Sequence, residues 1–108
     1  MSPPLPPPIG RLNRRLQIEA PILNSDGTAA WTDLATVWGQ VENLGFDERD
    51  IAGRIEGIAR WRLTIRWRAD VTSSNRVLYG TRVLRLVSSA DPAGDRRFLT
   101  IEAEEEQR

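Results

Sequence analysis

Between Ala59 and Trp67 the side chains alternate without fault. Trp61, Leu63, Ile65 and Trp67 fall on one side, and Arg60, Arg62, Thr64, Arg66 and the following Arg68 on the other. Successive side chains of a β-strand point to opposite faces, so this period of two predicts a strand with one face in a core and the other in water. A slip of one residue would carry the four large apolar groups into solvent, which makes the register strongly specified. Such a strand needs a sheet around it, and the rest of the chain supplies one.

Arg15 to Ala20 sets Leu16 and Ile18 against Arg15, Gln17 and Glu19, a half-buried strand closed by Pro21. Asn24-Ser25-Asp26-Gly27 reads as a turn, with Asp-Gly supplying the positive φ that a hairpin needs. From Trp31 to Val41 the alternation resumes, with Val37, Gly39 and Val41 on one side and Trp38 and Gln40 on the other. Arg76 to Tyr79 and Thr81 to Val87 form a hairpin about Gly80, offering Leu78, Val83, Leu84, Leu86 and Val87 for burial. After a turn at Asp91-Pro92-Ala93-Gly94-Asp95, Arg97 to Ala103 is the last strand, with Phe98 and Thr100 opposite Leu99 and Ile101.

The least strand-like stretch is Asn43 to Gly57. Within it Phe46 to Ala52 reads as a short helix or a long loop between Gly45 and Gly53, and long connections in small domains often carry function. The expected fold is therefore all-β: a small antiparallel β-barrel of about six strands with one long loop or short helix, a sandwich being the other solution. Closure into a barrel also removes exposed edges.

The 108 residues suit one compact domain. Residues 1–8, with five prolines, read as an extended polyproline arm that is either loose or docks on a partner during assembly. Residues 9–103 form the barrel, and 104–108 an acidic tail. With no bilayer-length apolar run and no signal-peptide pattern, the chain is expected to stay in a cytoplasm, away from membranes.

The sequence contains no Cys, no His and no Lys, so each of its 15 cations is Arg. That composition excludes thiol nucleophiles, disulfide scaffolds, zinc ribbons, imidazole bases, Schiff-base chemistry and the lysine of a nucleotide loop. An enzyme would have to work with carboxylates, hydroxyls and arginines alone, and neither enzymatic activity nor a metal or cofactor is expected. Glu102, Glu104, Glu105 and Glu106 lie along a strand end, without the turn that folds oxygens around a cation. Asp47, Glu48 and Asp50 lack the apolar pocket that raises a carboxyl pKa for acid–base work.

Formal net charge is zero, yet the charges are segregated. Glu19 to Glu56 holds eight acids against Arg49 and Arg54; Arg60 to Arg97 holds nine arginines against three acids. Two outcomes follow: the signs pair between neighbouring strands of one copy, or one copy's acidic face meets the next copy's basic face. The arginine face also resembles a nucleic-acid surface, but Trp61 and Trp67 sit on the opposite side of the strand, and a single-strand binder needs cations and aromatics together. Duplex phosphate needs no aromatic, so a stand-alone nucleic-acid-binding barrel is the alternative function.

The order of these segments resembles the phage head-tail joining proteins, also called head-closure, stopper or head-tail adaptor proteins. The resemblance runs through Ile9-Gly10-Arg11-Leu12-Asn13-Arg14-Arg15-Leu16-Gln17-Ile18, then Trp31-Thr32-Asp33-Leu34-Ala35-Thr36-Val37-Trp38-Gly39-Gln40-Val41-Glu42. It continues through Arg62-Leu63-Thr64-Ile65-Arg66-Trp67-Arg68, Arg76 to Leu84, and Asp95-Arg96-Arg97-Phe98-Leu99. The proline arm and the acidic tail depart from the family's pattern.

The resemblance implies a homo-oligomeric ring, six-fold or alternatively twelve-fold, at the head-tail junction of a phage or gene transfer agent assembled in the bacterial cytoplasm. Its partners would be the portal or adaptor ring above, a tail terminator or tail tube protein below, and packaged double-stranded DNA in the channel. Rings use head-to-tail contacts between unlike surfaces. The expected interface sets Glu42, Asp47, Glu48, Asp50 and Glu56 of one copy against Arg60, Arg62, Arg66 and Arg68 of the next. The segment expected to enter the channel is Gly45, Phe46, Asp47, Glu48, Arg49, Asp50, Ile51, Ala52 and Gly53; the rival assignment has it touch the adaptor while the arginines face the lumen.

Overall fold

The computed structural model describes residues 12–107. It contains six strands: β1 (Arg14–Leu23), β2 (Ala29–Ile51), β3 (Arg54–Arg66), β4 (Arg76–Tyr79), β5 (Arg82–Ala90) and β6 (Phe98–Gln107). They close in the order β1-β2-β3-β6-β5-β4, with β4 returning to β1, and every pairing is antiparallel. The expected all-β barrel of about six strands is the fold.

β3 carries the inner face that its alternation predicts. Trp61, Leu63 and Ile65 are buried among Leu16, Ile18, Val77, Leu84, Leu86, Leu99 and Ile101, and Trp67 packs against the cluster from its margin. Leu34, Val37 and Val41 add the β2 side. The interior is filled by side chains, as expected for a barrel with so few strands. One copy therefore has no bore of its own.

The first turn forms as read. Asn24 N donates to Thr28 O, Gly27 takes φ +87°, and the Asp26 carboxylate accepts from both the backbone N and the hydroxyl of Thr28. These bonds hold the Asp26 carboxyl below its ordinary range, the Thr28 hydroxyl first among them.

Several local expectations change. The stretch from Phe46 to Ala52 is neither helix nor loop: it continues β2, pairs with Ile55 to Ala59, and turns at Ala52-Gly53. Both turn residues have positive φ, +54° and +80°, the primed geometry that suits strand twist. β1 does not stop at Pro21 but runs on to Leu23 after a bulge at Ile18/Glu19. Beyond Glu19 β1 has only β2 beside it, and an edge tolerates a residue without an N–H. The acidic run from Glu104 is strand as well, since β6 pairs with β3 as far as Gln107. Val83 and Val87 are exposed on β5, whereas Phe98 and Leu99 are both buried where β6 begins. The proline arm, residues 1–8, lies outside the described residues.

Candidate functional site

The outer face of the barrel is a charged ladder laid across four strands. Register places Glu42, Arg62 and Glu102 side by side on β2, β3 and β6, with Ser88 of β5 next in the row. Arg62 lies 3.9 Å from each of the two carboxylates. One row along, Arg60 of β3, Glu104 of β6 and Arg85 of β5 alternate in sign. Arg60 reaches Asp47 at 3.9 Å, and Arg85 reaches Glu104 at 3.5 Å. The segregation seen along the sequence thus pairs off between neighbouring strands of one copy for Glu42, Asp47, Arg60 and Arg62. Pairs this exposed contribute little stability each, but directly opposed opposite charges help to set register.

β2 and β3 extend past the barrel as a two-stranded hairpin. β6 accompanies β3 only as far as Gly57, and β1 leaves β2 at Gly39, so the hairpin beyond Gly57 has no further strand beside it. Arg49 anchors its base. Its guanidinium forks onto Glu104 at 2.9 and 3.0 Å, crossing the intervening β3, and charge-assisted paired bonds of this kind hold direction as well as distance. The Phe46 ring lies over Gly57 in the space a Cβ would occupy, an aromatic covering a glycine in the facing strand. Phe46 and Ile55 are nevertheless exposed, Ile55 at 75%. Glu48 and Asp50 make no ion pair among the described residues; the side chains of Ile51 and Glu56 lie outside the description.

The opposite end of the same sheet is basic. Register brings Arg14 and Arg15 of β1, Trp38 of β2, and Arg66 of β3 to one end, where Phe98 of β6 pairs with Arg66. Arg66 is exposed and makes no ion pair among the described residues. Trp38, 58% exposed, points outward with the arginines and lies under the Arg15 guanidinium at 6.0 Å from its ring centre. Sequence reasoning placed Trp38 opposite Val37 and Gly39, yet it missed that this tryptophan shares a face with arginines from two other strands. Only the β1–β2–β3 register, which is non-local, contained that signal.

Arg68 is not available in the same way. Its Nε and Nη2 donate to the two carboxylate oxygens of Asp70 at 3.0 and 2.8 Å. These bonds hold the Asp70 carboxyl below its ordinary range; slight desolvation opposes them and the charge of Arg68 assists. A depressed carboxyl contributes stability above its unfolded pKa and loses it as pH falls through the folded one. Arg68→Gln should therefore return the Asp70 titration midpoint, followed by carboxyl ¹³C shift, toward the ordinary aspartate value, with little change in global stability because the pair is exposed. An unmoved midpoint would show that the pair does not persist in solution.

Of the residues expected at an interface, four (Asp47, Arg60, Glu42 and Arg62) are joined within the chain, Arg68 is held by Asp70, and Glu48, Asp50 and Arg66 make no ion pair among the described residues. These two acids and Arg66 sit at opposite ends of one sheet. The segment Gly45 to Gly53 is the outgoing arm of the hairpin and its turn.

Comparison with known proteins agrees with this architecture. The family model described as phage head completion protein matches residues 7–106. A chain from a structure titled "Virion of native gene transfer agent (GTA) particle" superposes with a TM-score of 0.73 at 20% identity, covering 88% of this chain and 94% of that one. At that identity the likeness shows a shared fold. No curated protein matches the sequence. Because the family match spans the barrel, the projecting hairpin and nearly all of the acidic last strand, this chain belongs to the phage head completion proteins, structural proteins of phage-like particles.

Proposed function

We propose that several copies of this chain form a ring that closes a filled head, between the portal or adaptor ring and the tail, keeping the packaged DNA in and offering the surface on which the tail docks. The observation that carries this reading is the separation of charges that no ion pair among the described residues holds. Glu48 and Asp50 stand on the hairpin at one end of the sheet, with Arg14, Arg15 and Arg66 at the other. Unlike surfaces at opposite ends of one subunit suit repeated head-to-tail contact, which closes into a ring when the rotation permits. Six copies is the expected number. A barrel filled with side chains adds a second support, since a passage for duplex DNA has to lie between copies.

The interface so proposed is narrower than the sequence suggested. Reversing Arg62 would break a ladder within the subunit, so the informative change is Arg66→Glu. It should abolish ring formation while leaving the barrel folded, and Glu48→Arg with Asp50→Arg in the same chain should restore some assembly.

The test of function is electron microscopy of particles from a strain lacking the gene, with DNA content measured alongside. Heads that packaged and then lost their DNA, together with free tails, are the expected result. Normal tailed particles would overturn the proposal and favour the nucleic-acid-binding barrel, for which the outward grouping of Arg15, Trp38 and Arg66 is the supporting feature.

A further inference from the structure

Beside the basic end lies a cleft of about 390 Å³ walled by Leu12, Val37, Trp38, Arg66, Trp67 and Arg68. Its surface is mainly apolar, and Arg96 lies over the Trp67 ring at 5.4 Å from its centre. Two indoles around one open apolar cleft point to an occupant. Leu12, the first described residue, is itself buried at 8% exposure and forms part of the wall. The eleven residues before it therefore begin at the cleft.

We propose that the chain's own proline arm, residues 3–8, docks into this cleft in polyproline II form. Three observations carry the inference. The first is reach: Pro8 stands four residues before Leu12, so it stays within about 14 Å of a residue that lines the site. Gly10 lies in the connection and permits the chain to reverse there.

The second is chemistry. A polyproline segment presents flat rings and unbonded carbonyls, and grooves that bind one offer aromatic faces together with hydrogen-bond donors. Trp38 and Trp67 are the aromatic faces, and the guanidinium of Arg66 is a donor that no carboxylate among the described residues holds. The third is entropy. The arm is already restricted by five prolines, so little freedom is lost on docking, and tethering sets an effective concentration in the millimolar range, which suffices for a weak contact.

Docking of this kind covers the apolar cleft in the free subunit and ties the N-terminus to the basic end. A guanidinium carries five N–H donors, so Arg66 can serve both an arm carbonyl and a neighbouring copy, and docking does not depend on ring formation.

The experiment compares the full chain with one lacking residues 2–8, using the indole N–H resonances of the four tryptophans in dilute, monomeric protein. Removing the arm should shift Trp38 and Trp67 and leave Trp31 and Trp61 in place. A synthetic peptide of residues 1–10, added at millimolar concentration to the shortened chain, should move the same two resonances back toward their full-length positions. Pro6→Ala, Pro7→Ala and Pro8→Ala combined should reproduce the deletion without shortening the chain. Identical tryptophan spectra with and without the arm would overturn the proposal. A shift that vanishes on dilution would overturn it equally, because the occupant would then be the arm of a second copy. Since the measurement is made on monomer, its failure is distinguishable from failure of the ring.

Discussion

Gly39→Ala is expected to destabilise the barrel by about 1–3 kcal/mol, the range for forcing extra volume into a packed interior. Gly39 is buried in β2 where β1 and β3 close on it from both sides. A Cβ there would lie 2.6 Å from Leu16 Cδ1, 2.9 Å from the Thr64 carbonyl oxygen and 3.0 Å from Ile65 Cγ2. The Leu16 methyl can rotate away, but the Thr64 carbonyl belongs to the β2–β3 ladder and cannot move without breaking register. The loss should appear as a lower urea midpoint at unchanged slope.

A partner substitution measures the share of this cost that belongs to the Leu16 contact, as distinct from the Thr64 carbonyl. Leu16→Ala alone should cost about 2–5 kcal/mol, as for a fully buried leucine. In the double variant the methyl group introduced at position 39 meets the space Leu16 has vacated, so the two losses should fall short of additivity by about 1 kcal/mol. Additive losses would mean that the Leu16 contact is not what excludes a side chain at position 39.

Truncating the hairpin should have the largest effect on function. Deleting only Asp47 to Ala52 would remove one arm of a paired structure and strand the other. The symmetric change replaces residues 50–55 by Asn-Gly, which closes the hairpin with a favourable primed turn about 7 Å shorter. It retains Glu48, the Arg49–Glu56 pairing and the Arg49–Glu104 fork, so the barrel, the base of the hairpin and one of the two acids of the proposed ring contact stay in place. If the hairpin enters the channel of the proposed ring, particles should assemble with heads and tails and then lose their DNA. Full DNA content combined with failed attachment to the portal side would instead assign the hairpin to the adaptor contact.

Both predictions concern features that the linear sequence made legible only in part. The alternation from Arg60 to Arg68 announced β3, its buried face and its register, and Leu16 with Ile18 did the same for β1. An Asp-Gly pair marked the first turn. These are short-range signals, and they are reliable where a strand has one dry face and one wet face, because burial then imprints a period of two on the side chains.

The hairpin left no such imprint. Beyond Gly57 neither of its faces is covered by another strand, so Phe46 to Ile51 carries no alternation. Its turn is Ala-Gly in place of the Asn-Gly or Asp-Gly that marks a primed turn. What makes it a strand is the pairing with Ile55 to Ala59 and the Phe46 ring lying over Gly57, contacts that exist only once β2 and β3 have met. The charges tell the same story. Composition fixed how many there were and that every cation was an arginine, and sequence order showed that they were segregated. Which ones remain open depends on register across three strands: it joins Glu42 to Arg62 and leaves Glu48, Asp50 and Arg66, at opposite ends, without an ion pair among the described residues. A period along one strand can report which way a side chain faces, but its neighbour across the sheet is set by closure of the whole barrel.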